Sequence, residues 1–182
     1  MIRLLALDVD GTLTDGGIYM DGLGGEYKRF DVKDGMGIGL LMKAGVEVAF
    51  ISGRYSPATE QRARNLGVSF VYNGVKDKLP VLSALAGELG ITLEEVAFMG
   101  DDINDIDCME AAGLAIAPGD GVRAAREAAG YVSEYSGESH QSSWSFKPRV
   151  RQAHDKPAGA DTPAPAGIDC TLEPCADARR VF

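Results

Sequence analysis

The sequence predicts an α/β protein: a doubly wound parallel sheet with a β-hairpin flap and no cap domain. Three observations carry this. Short runs that are apolar throughout recur along residues 1–135, and runs apolar on both faces suit a parallel sheet covered by helices. The segments between them carry helix caps and glycine stops. A Gly-rich insertion breaks the rhythm once, ahead of the first helix. Strand and helix in alternation imply right-handed crossovers.

Residues 2–7 form the first strand, ended by Asp8-Val9-Asp10-Gly11. Residues 16–31 then hold two short strands around a Gly-rich turn. A lone hairpin is marginal in water, so this flap is expected to project beside the strand ends and pair with a neighbouring subunit. A helix over 35–44 stops at Gly45, and a strand over 46–51 ends at Ser52-Gly53-Arg54. Ser56 caps the next helix, with Pro57 at its first position and Gly67 at its end. Strand 68–72 ends at Asn73-Gly74, and helix 78–89 stops at Gly90. Thr92 and Glu95 fit a capping box. Strand 96–99 ends at Gly100-Asp101-Asp102, helix 103–112 stops at Gly113, and strand 114–117 ends at Pro118-Gly119. From Gly137 the pattern fails. One domain over 1–136 is therefore expected, followed by an atypical, disordered tail over 137–182 whose apolar content cannot offset its ordering entropy.

The 182 residues are 45% hydrophobic and 25% charged, which suits a globular domain. No run of about 18 apolar residues exists, so no membrane span is expected. Asp8 falls where a signal peptide would continue its apolar stretch, which predicts a cytoplasmic protein. A net charge of −9 argues against nucleic acid as a partner. It allows a small anionic substrate, which needs only a local positive pocket or a metal. The three cysteines, Cys108, Cys170 and Cys175, read as reduced thiols, and the last two lack zinc-site spacing.

Ligands of an open α/β sheet bind outside the carboxyl ends of its strands. Here those ends carry Asp8 and Asp10, Ser52, and Asp101 with Asp102, while Lys78 opens the helix after the third strand. Asp8 and Asp10 lie two apart on an extended segment and point the same way. Like charges that close call for a cation. Mg²⁺ held by Asp8, Asp101 and the Asp10 carbonyl answers that with oxygen ligands alone, and Mn²⁺ accepts the same set. Asp10 can then keep a proton as general acid while Asp8 attacks phosphorus. Ser52 and Lys78 supply the donors and positive charge that phosphoryl oxygens require. Each residue alone has an ordinary explanation: Asp in a turn, Ser as a cap, Lys on the surface. Their arrival at successive strand ends in this order is what points to chemistry.

The segments Asp8-Val9-Asp10-Gly11-Thr12-Leu13-Thr14-Asp15, Ile51-Ser52-Gly53-Arg54, Lys78 and Gly100-Asp101-Asp102-Ile103-Asn104-Asp105 resemble the motifs of the haloacid dehalogenase superfamily. The hairpin, Phe30-Asp31-Val32-Lys33-Asp34-Gly35 and Gly74-Val75-Lys76-Asp77-Lys78 narrow the resemblance to its capless 3-deoxy-D-manno-octulosonate 8-phosphate phosphatase family, over residues 1–137. The resemblance implies Asp8 as the nucleophile that forms an aspartyl-phosphate. It implies Asp10 as the acid that protonates the leaving sugar oxygen and then activates water. It further implies Mg²⁺ on Asp8, Asp10 and Asp101, phosphate on Ser52, Gly53 and Lys78, and a homotetramer whose flaps assemble together. The implied substrate is an eight-carbon sugar-acid phosphate on the way to lipopolysaccharide. Past Gly137 the chain departs from the Gly-rich ending usual in that family.

An acidic sugar also fits the local residues. Arg54 follows Ser52, and Arg62 lies eight residues further, about two helical turns on. Both are candidates for the substrate carboxylate or phosphate. Lys33, Asp34 and Gly35 at the flap base are candidates for sugar hydroxyls. Asp102 and Asp105 are expected either to orient Lys78 or water, or to cap the 103–112 helix. Tyr19, Met20 and Phe30 read as flap packing. The main alternative is a phosphatase for a nine-carbon, sialic-type 9-phosphate, served by the same site. A phospho-receiver would carry an Asp after its third strand, where this chain has Asn73-Gly74. An inactive interaction subunit is suggested only by the tail.

Overall fold

The computed structural model describes residues 1–134, so the expected boundary at 136 and the tail over 137–182 lie outside the described residues. In chain order the elements are β1 (Leu4–Leu7), β2 (Tyr19–Met20), β3 (Glu26–Tyr27), α1 (Val32–Lys43), β4 (Glu47–Ser52), α2 (Pro57–Leu66), β5 (Phe70–Asn73), α3 (Lys78–Glu88), β6 (Val96–Met99), α4 (Ile106–Ala111), β7 (Leu114–Ala117), α5 (Arg123–Ala128) and β8 (Tyr131–Val132). Six strands form one sheet in the order β5-β4-β1-β6-β7-β8, with every pairing parallel. From β1 the chain winds outward through β4 and β5, then returns and winds the other way through β6, β7 and β8. The reversal opens a crevice at the carboxyl ends of β1, β4 and β6, the usual ligand position in such sheets.

Strands apolar on both faces explain the layers. Leu4, Ala6, Ile51, Phe98 and Ala117 pack with Leu82, Leu85, Cys108, Met109 and Ala125, so α3, α4 and α5 cover one face. The alternate residues Leu5, Leu7, Phe50, Met99 and Ile116 pack with Ile38, Leu41 and Ala63, so α1 and α2 cover the other. Burial of this kind stabilises each Leu, Ile, Phe or Met side chain by about 1.5–3 kcal/mol, and the alanines by less.

Several sequence expectations shift in detail. Helix α1 begins at Val32, before the expected residue 35, because Asp31 caps it by accepting a hydrogen bond from the Lys33 amide at 2.7 Å. Thr92 and Glu95 do form a capping box, with the Glu95 carboxylate 3.1 Å from the Thr92 amide, but it starts a single 3₁₀ turn over Leu93–Glu95. The expected 103–112 helix splits into a 3₁₀ turn, Ile103–Asp105, and α4. Helix α5 and the two-residue strand β8 add to the elements that the sequence predicts.

Between β1 and α1 the chain carries the hairpin, pairing Tyr19 with Tyr27 and Met20 with Glu26. Its turn is held by Asp21, whose Oδ1 accepts from the amides of Leu23 and Gly25 at 2.7 and 2.8 Å. Its outer surface leaves Ile18, Met20, Leu23 and Tyr27 exposed.

Candidate active site

Three strand ends bring the acidic residues together. The Asp8 amide donates to the Met99 carbonyl at 2.9 Å, which carries the β1–β6 pairing one residue past β1 and aligns Asp8 with the start of the loop holding Asp101. Ser52 closes β4 and is fully buried. Lys78 is the first residue of α3 and is 2% exposed. Its Nζ donates to Asp8 Oδ1 at 2.5 Å and to Asp105 Oδ1 at 2.6 Å. An ammonium has three N–H donors, so one of them is left for a further acceptor.

Asp105 anchors this arrangement. Its Oδ2 accepts from the amides of Asp101 and Asp102, each at 3.1 Å, which fixes the loop that presents Asp101. Gly100 has no space for a side chain, since a Cβ there would run into the Asp105 carboxyl group. Thr12 Oγ1 donates to Asp101 Oδ1 at 2.9 Å. Gly11 turns with φ +92°, and a Cβ at that position would collide with the Asp101 carboxylate. The glycine therefore meets two demands: a left-handed turn and a close approach.

The electrostatics are strained by design of the sequence. Asp8, Asp101 and Asp105 place carboxylate oxygens within 4.8 Å of one another. Burial, first, and the neighbouring Asp105, second, raise the Asp8 pKa well above the ordinary carboxylate value, against the opposing pull of Lys78. Burial likewise lifts Asp101 to about 6, although its bond from Thr12 opposes this. Burial disfavours the Lys78 ammonium, but Asp8 and Asp105 together outweigh it, so its pKa is raised. Three carboxylates thus share one ammonium in a poorly solvated place. A divalent cation fits this shortage of positive charge, and its donors would be oxygens, as hard cations prefer. Asp105 is already engaged on both oxygens, so Asp8 and Asp101 are the carboxylates available to such an ion.

Above this layer lies a cleft of about 310 Å³, lined by Asp8, Asp10, Gly53, Arg54, Lys76 and Asn104 among others. Ser52 Oγ sits beneath it, donating to the Arg54 carbonyl at 2.8 Å and lying 3.5 Å from Asp10 Oδ2. The Arg54 guanidinium reaches the cleft rim, where Nη2 lies 2.5 Å from Glu26 Oε2 on β3. Arg62 is placed elsewhere: Nη2 donates to the Asp31 carbonyl at 2.7 Å, and the guanidinium carbon lies 5.6 Å from the Phe30 ring centroid. It braces the flap base against α2. Gly35 makes that possible, since a Cβ there would stand 2.8 Å from the Arg62 guanidinium. Asp34 is buried in the first turn of α1, and Lys33 is exposed beside it.

Lys28, Glu26, Lys76 and Asn104 receive no role from the sequence alone, although Lys76 and Asn104 stand within its motifs and Glu26 and Lys28 within its hairpin. Lys28 Nζ lies 2.5 Å from Asp10 Oδ1. The available signal was the charged pair Glu26 and Lys28 at strand spacing in the flap.

Comparison with known proteins places this geometry in context. Residues 69–140 match the sequence profile of the haloacid dehalogenase-like hydrolases. Over 136 residues the chain is 43% identical to the 3-deoxy-D-manno-octulosonate 8-phosphate phosphatase KdsC of Escherichia coli K12, a match that covers 75% of this chain and 72% of that protein. The structure of 3-deoxy-D-manno-octulosonate 8-phosphate phosphatase from Moraxella catarrhalis, solved with a magnesium ion, a phosphate ion and KDO, superposes with a TM-score of 0.74 at 39% identity, covering 75% of this chain and 79% of that one. The cobalt-bound phosphatase of Haemophilus influenzae gives a TM-score of 0.73 at 36% identity, covering 75% and 80%.

Proposed function

The chain belongs to the 3-deoxy-D-manno-octulosonate 8-phosphate phosphatase family of haloacid dehalogenase-like hydrolases, and from that premise we propose that it hydrolyses this eight-carbon sugar-acid phosphate by way of an aspartyl-phosphate on Asp8. The observation that carries the reading is the buried set of Asp8, Lys78 and Asp105 beside Asp101, beneath a cleft lined by Asp8 and Asp10. Asp8 attacks phosphorus as the bond to the sugar oxygen breaks, and Asp10 gives that oxygen a proton. Asp10 then takes a proton from water, which attacks the aspartyl-phosphate and frees inorganic phosphate. The third N–H of Lys78, with Ser52 and the Gly53 backbone, serves the phosphoryl oxygens. Asp8, the Asp10 carbonyl and Asp101 hold Mg²⁺, which supplies the positive charge that lets a carboxylate approach a phosphate dianion. Arg54 serves the substrate carboxylate from the cleft rim.

The protein acts in the cytoplasm as a homotetramer. No helix among the described residues is long and apolar enough to cross a membrane. Exposed Val32, Met36 and Leu40 form a stripe at helical spacing on α1, and with the apolar flap surface they suit a contact between copies.

Phosphate release from the eight-carbon 8-phosphate and from a nine-carbon 9-phosphate, with Mg²⁺ and with chelator, tests the reading. The eight-carbon ester is expected to show kcat/KM at least about 10-fold higher. The reverse order would favour the sialic-type substrate, and activity that survives chelator would remove the metal.

Metal binding should also depend on pH in a defined sense. Asp101 ionises near 6 in the metal-free fold against 3.8 for an unperturbed aspartate. Between those values the folded state holds a proton that the unfolded chain has lost, so metal-free stability falls as pH rises through the window. Mg²⁺ replaces that proton. At 100 times its dissociation constant an ion adds about 2.7 kcal/mol of stability, and the full gain is expected only above the window. Melting curves with and without Mg²⁺ should therefore separate more at about pH 8 than at about pH 5. Equal separation at both would remove Asp101 as a ligand.

A further inference from the structure

The flap strand turns charge toward the core. Glu26 and Lys28 are two residues apart and share one face, while Tyr27 between them points outward and is 62% exposed. Glu26 holds Arg54 at the cleft rim. Lys28 holds Asp10: its Nζ lies 2.5 Å from Asp10 Oδ1, and its side chain is only 2% exposed, against 34% for the Asp10 side chain that faces the cleft. Lysine is rarely buried unless paired, and ordering its long stem costs rotamer entropy. On the other side of the same carboxyl group, Oδ2 lies 3.5 Å from Ser52 Oγ. Asp10 is thereby held between the flap and the end of β4.

We propose that Lys28 is a positioning residue for Asp10, fixing one carboxyl oxygen from the flap so that the other delivers the proton to the leaving sugar. An ammonium only donates. The ammonium beside Oδ1 disfavours a further proton on that oxygen, so the contact favours Oδ2 as the oxygen that carries the acid proton. The inference rests on the assignment of Asp10 as general acid made above. In the step concerned, a bond forms between an Asp8 oxygen and phosphorus, and the bond from phosphorus to the sugar oxygen breaks with its electron pair on that oxygen. The Oδ2 proton of Asp10 goes to it, and Lys28 keeps its three protons throughout.

This role ties the contribution of Lys28 to the leaving group. A sugar alkoxide cannot leave without a proton, whereas a nitrophenolate can. A lysine that bound the phosphoryl group would serve both kinds of ester alike, and one that only held the flap, and with it the Arg54 that meets the sugar acid, would change KM rather than kcat.

The test compares wild type, Lys28→Met and Lys28→Arg as full chains with Mg²⁺, reading kcat and KM as well as kcat/KM on 3-deoxy-D-manno-octulosonate 8-phosphate and on p-nitrophenyl phosphate. That ratio covers steps only through the first phosphoryl transfer, so the later attack of water does not enter it. Lys28→Met is expected to lose about 10- to 100-fold on the sugar phosphate, within what a general acid contributes, and little on the nitrophenyl ester. Lys28→Arg should recover most of the loss. Equal losses on the two esters, no loss on either, or a sugar-phosphate loss confined to KM overturn the proposal. Should Lys28→Met fail to fold, Lys28→Gln carries the same comparison. Wild type that releases no phosphate from either ester, or an Asp8→Asn variant as active as wild type, would instead refute the phosphatase reading beneath it.

Discussion

Asp8→Asn is expected to abolish phosphate release, by at least about 10⁴-fold in kcat, while leaving the fold as stable as before. The carboxylate oxygen is the group that bonds to phosphorus, and an amide oxygen is far too weak a nucleophile to replace it. The shape of the site should survive, because Asn is isosteric and its oxygen can still accept from Lys78. Stability follows from the sign of the pKa shift. Burial and Asp105 raise the Asp8 pKa in the metal-free fold. The unfolded chain ionises first, so the carboxylate is a cost that begins at the unfolded pKa and is complete once pH has passed the folded one. Asn lacks that cost. In chelator the variant should therefore melt no lower than wild type at neutral pH. Turnover at the wild-type rate would remove Asp8 as the nucleophile, and a much lower melting point would show that its charge is needed by Lys78.

What could be read in advance follows from the kind of signal each residue gives. Strands β1, β4 and β6 are apolar on both faces and end abruptly in Asp, Ser or Gly-Asp, so both the sheet and its chemical end were visible. Strand β8 has two residues, too few to show a period, and α5 is an Ala-rich stretch with no side-chain cap. Arg62 shows the limit of spacing arguments. Counting turns from Arg54 assumes that it lies on the helix, but α2 begins only at Pro57, and which way Arg62 faces depends on how α2 meets α1. Gly35 leaves room for the guanidinium there, and it settles on the Asp31 carbonyl. Lys28 shows another limit. Strand spacing puts Glu26 and Lys28 on one face, but only the direction in which the flap folds over β1 decides that this face meets Asp10. Lys78 was readable as a cation near phosphate; its grip on Asp105, which in turn sets the Asp101 loop, needed the three-dimensional arrangement.

Lys78→Met should remove activity and also lower stability by about 3–5 kcal/mol, the range for breaking a buried ion pair from one side. The lysine is held by two carboxylates at 2.5 and 2.6 Å in a place almost without solvent. Those carboxylates raise its pKa despite burial. A base whose folded pKa is raised contributes stability that is complete below its unfolded value, so the ammonium stabilises the fold throughout the neutral range. Without it Asp8, Asp101 and Asp105 repel one another with nothing to balance them. Combining Lys78→Met with Asp105→Asn separates the two roles of the lysine. The amide can still accept from the Asp101 and Asp102 backbone through one oxygen, and it removes a buried charge, so part of the lost stability should return. Coupling between such neighbours is typically about 0.5–3 kcal/mol. Activity should not return, because the N–H that Lys78 offers to the phosphoryl group is gone in both variants. Denaturant melts in chelator and kcat with Mg²⁺, measured on the two single variants and the double, decide the matter. Additive stability losses would mean that Lys78 and Asp105 do not act as a pair. Recovered turnover would mean that Lys78 only balances charge, and the phosphoryl oxygens would then need another donor.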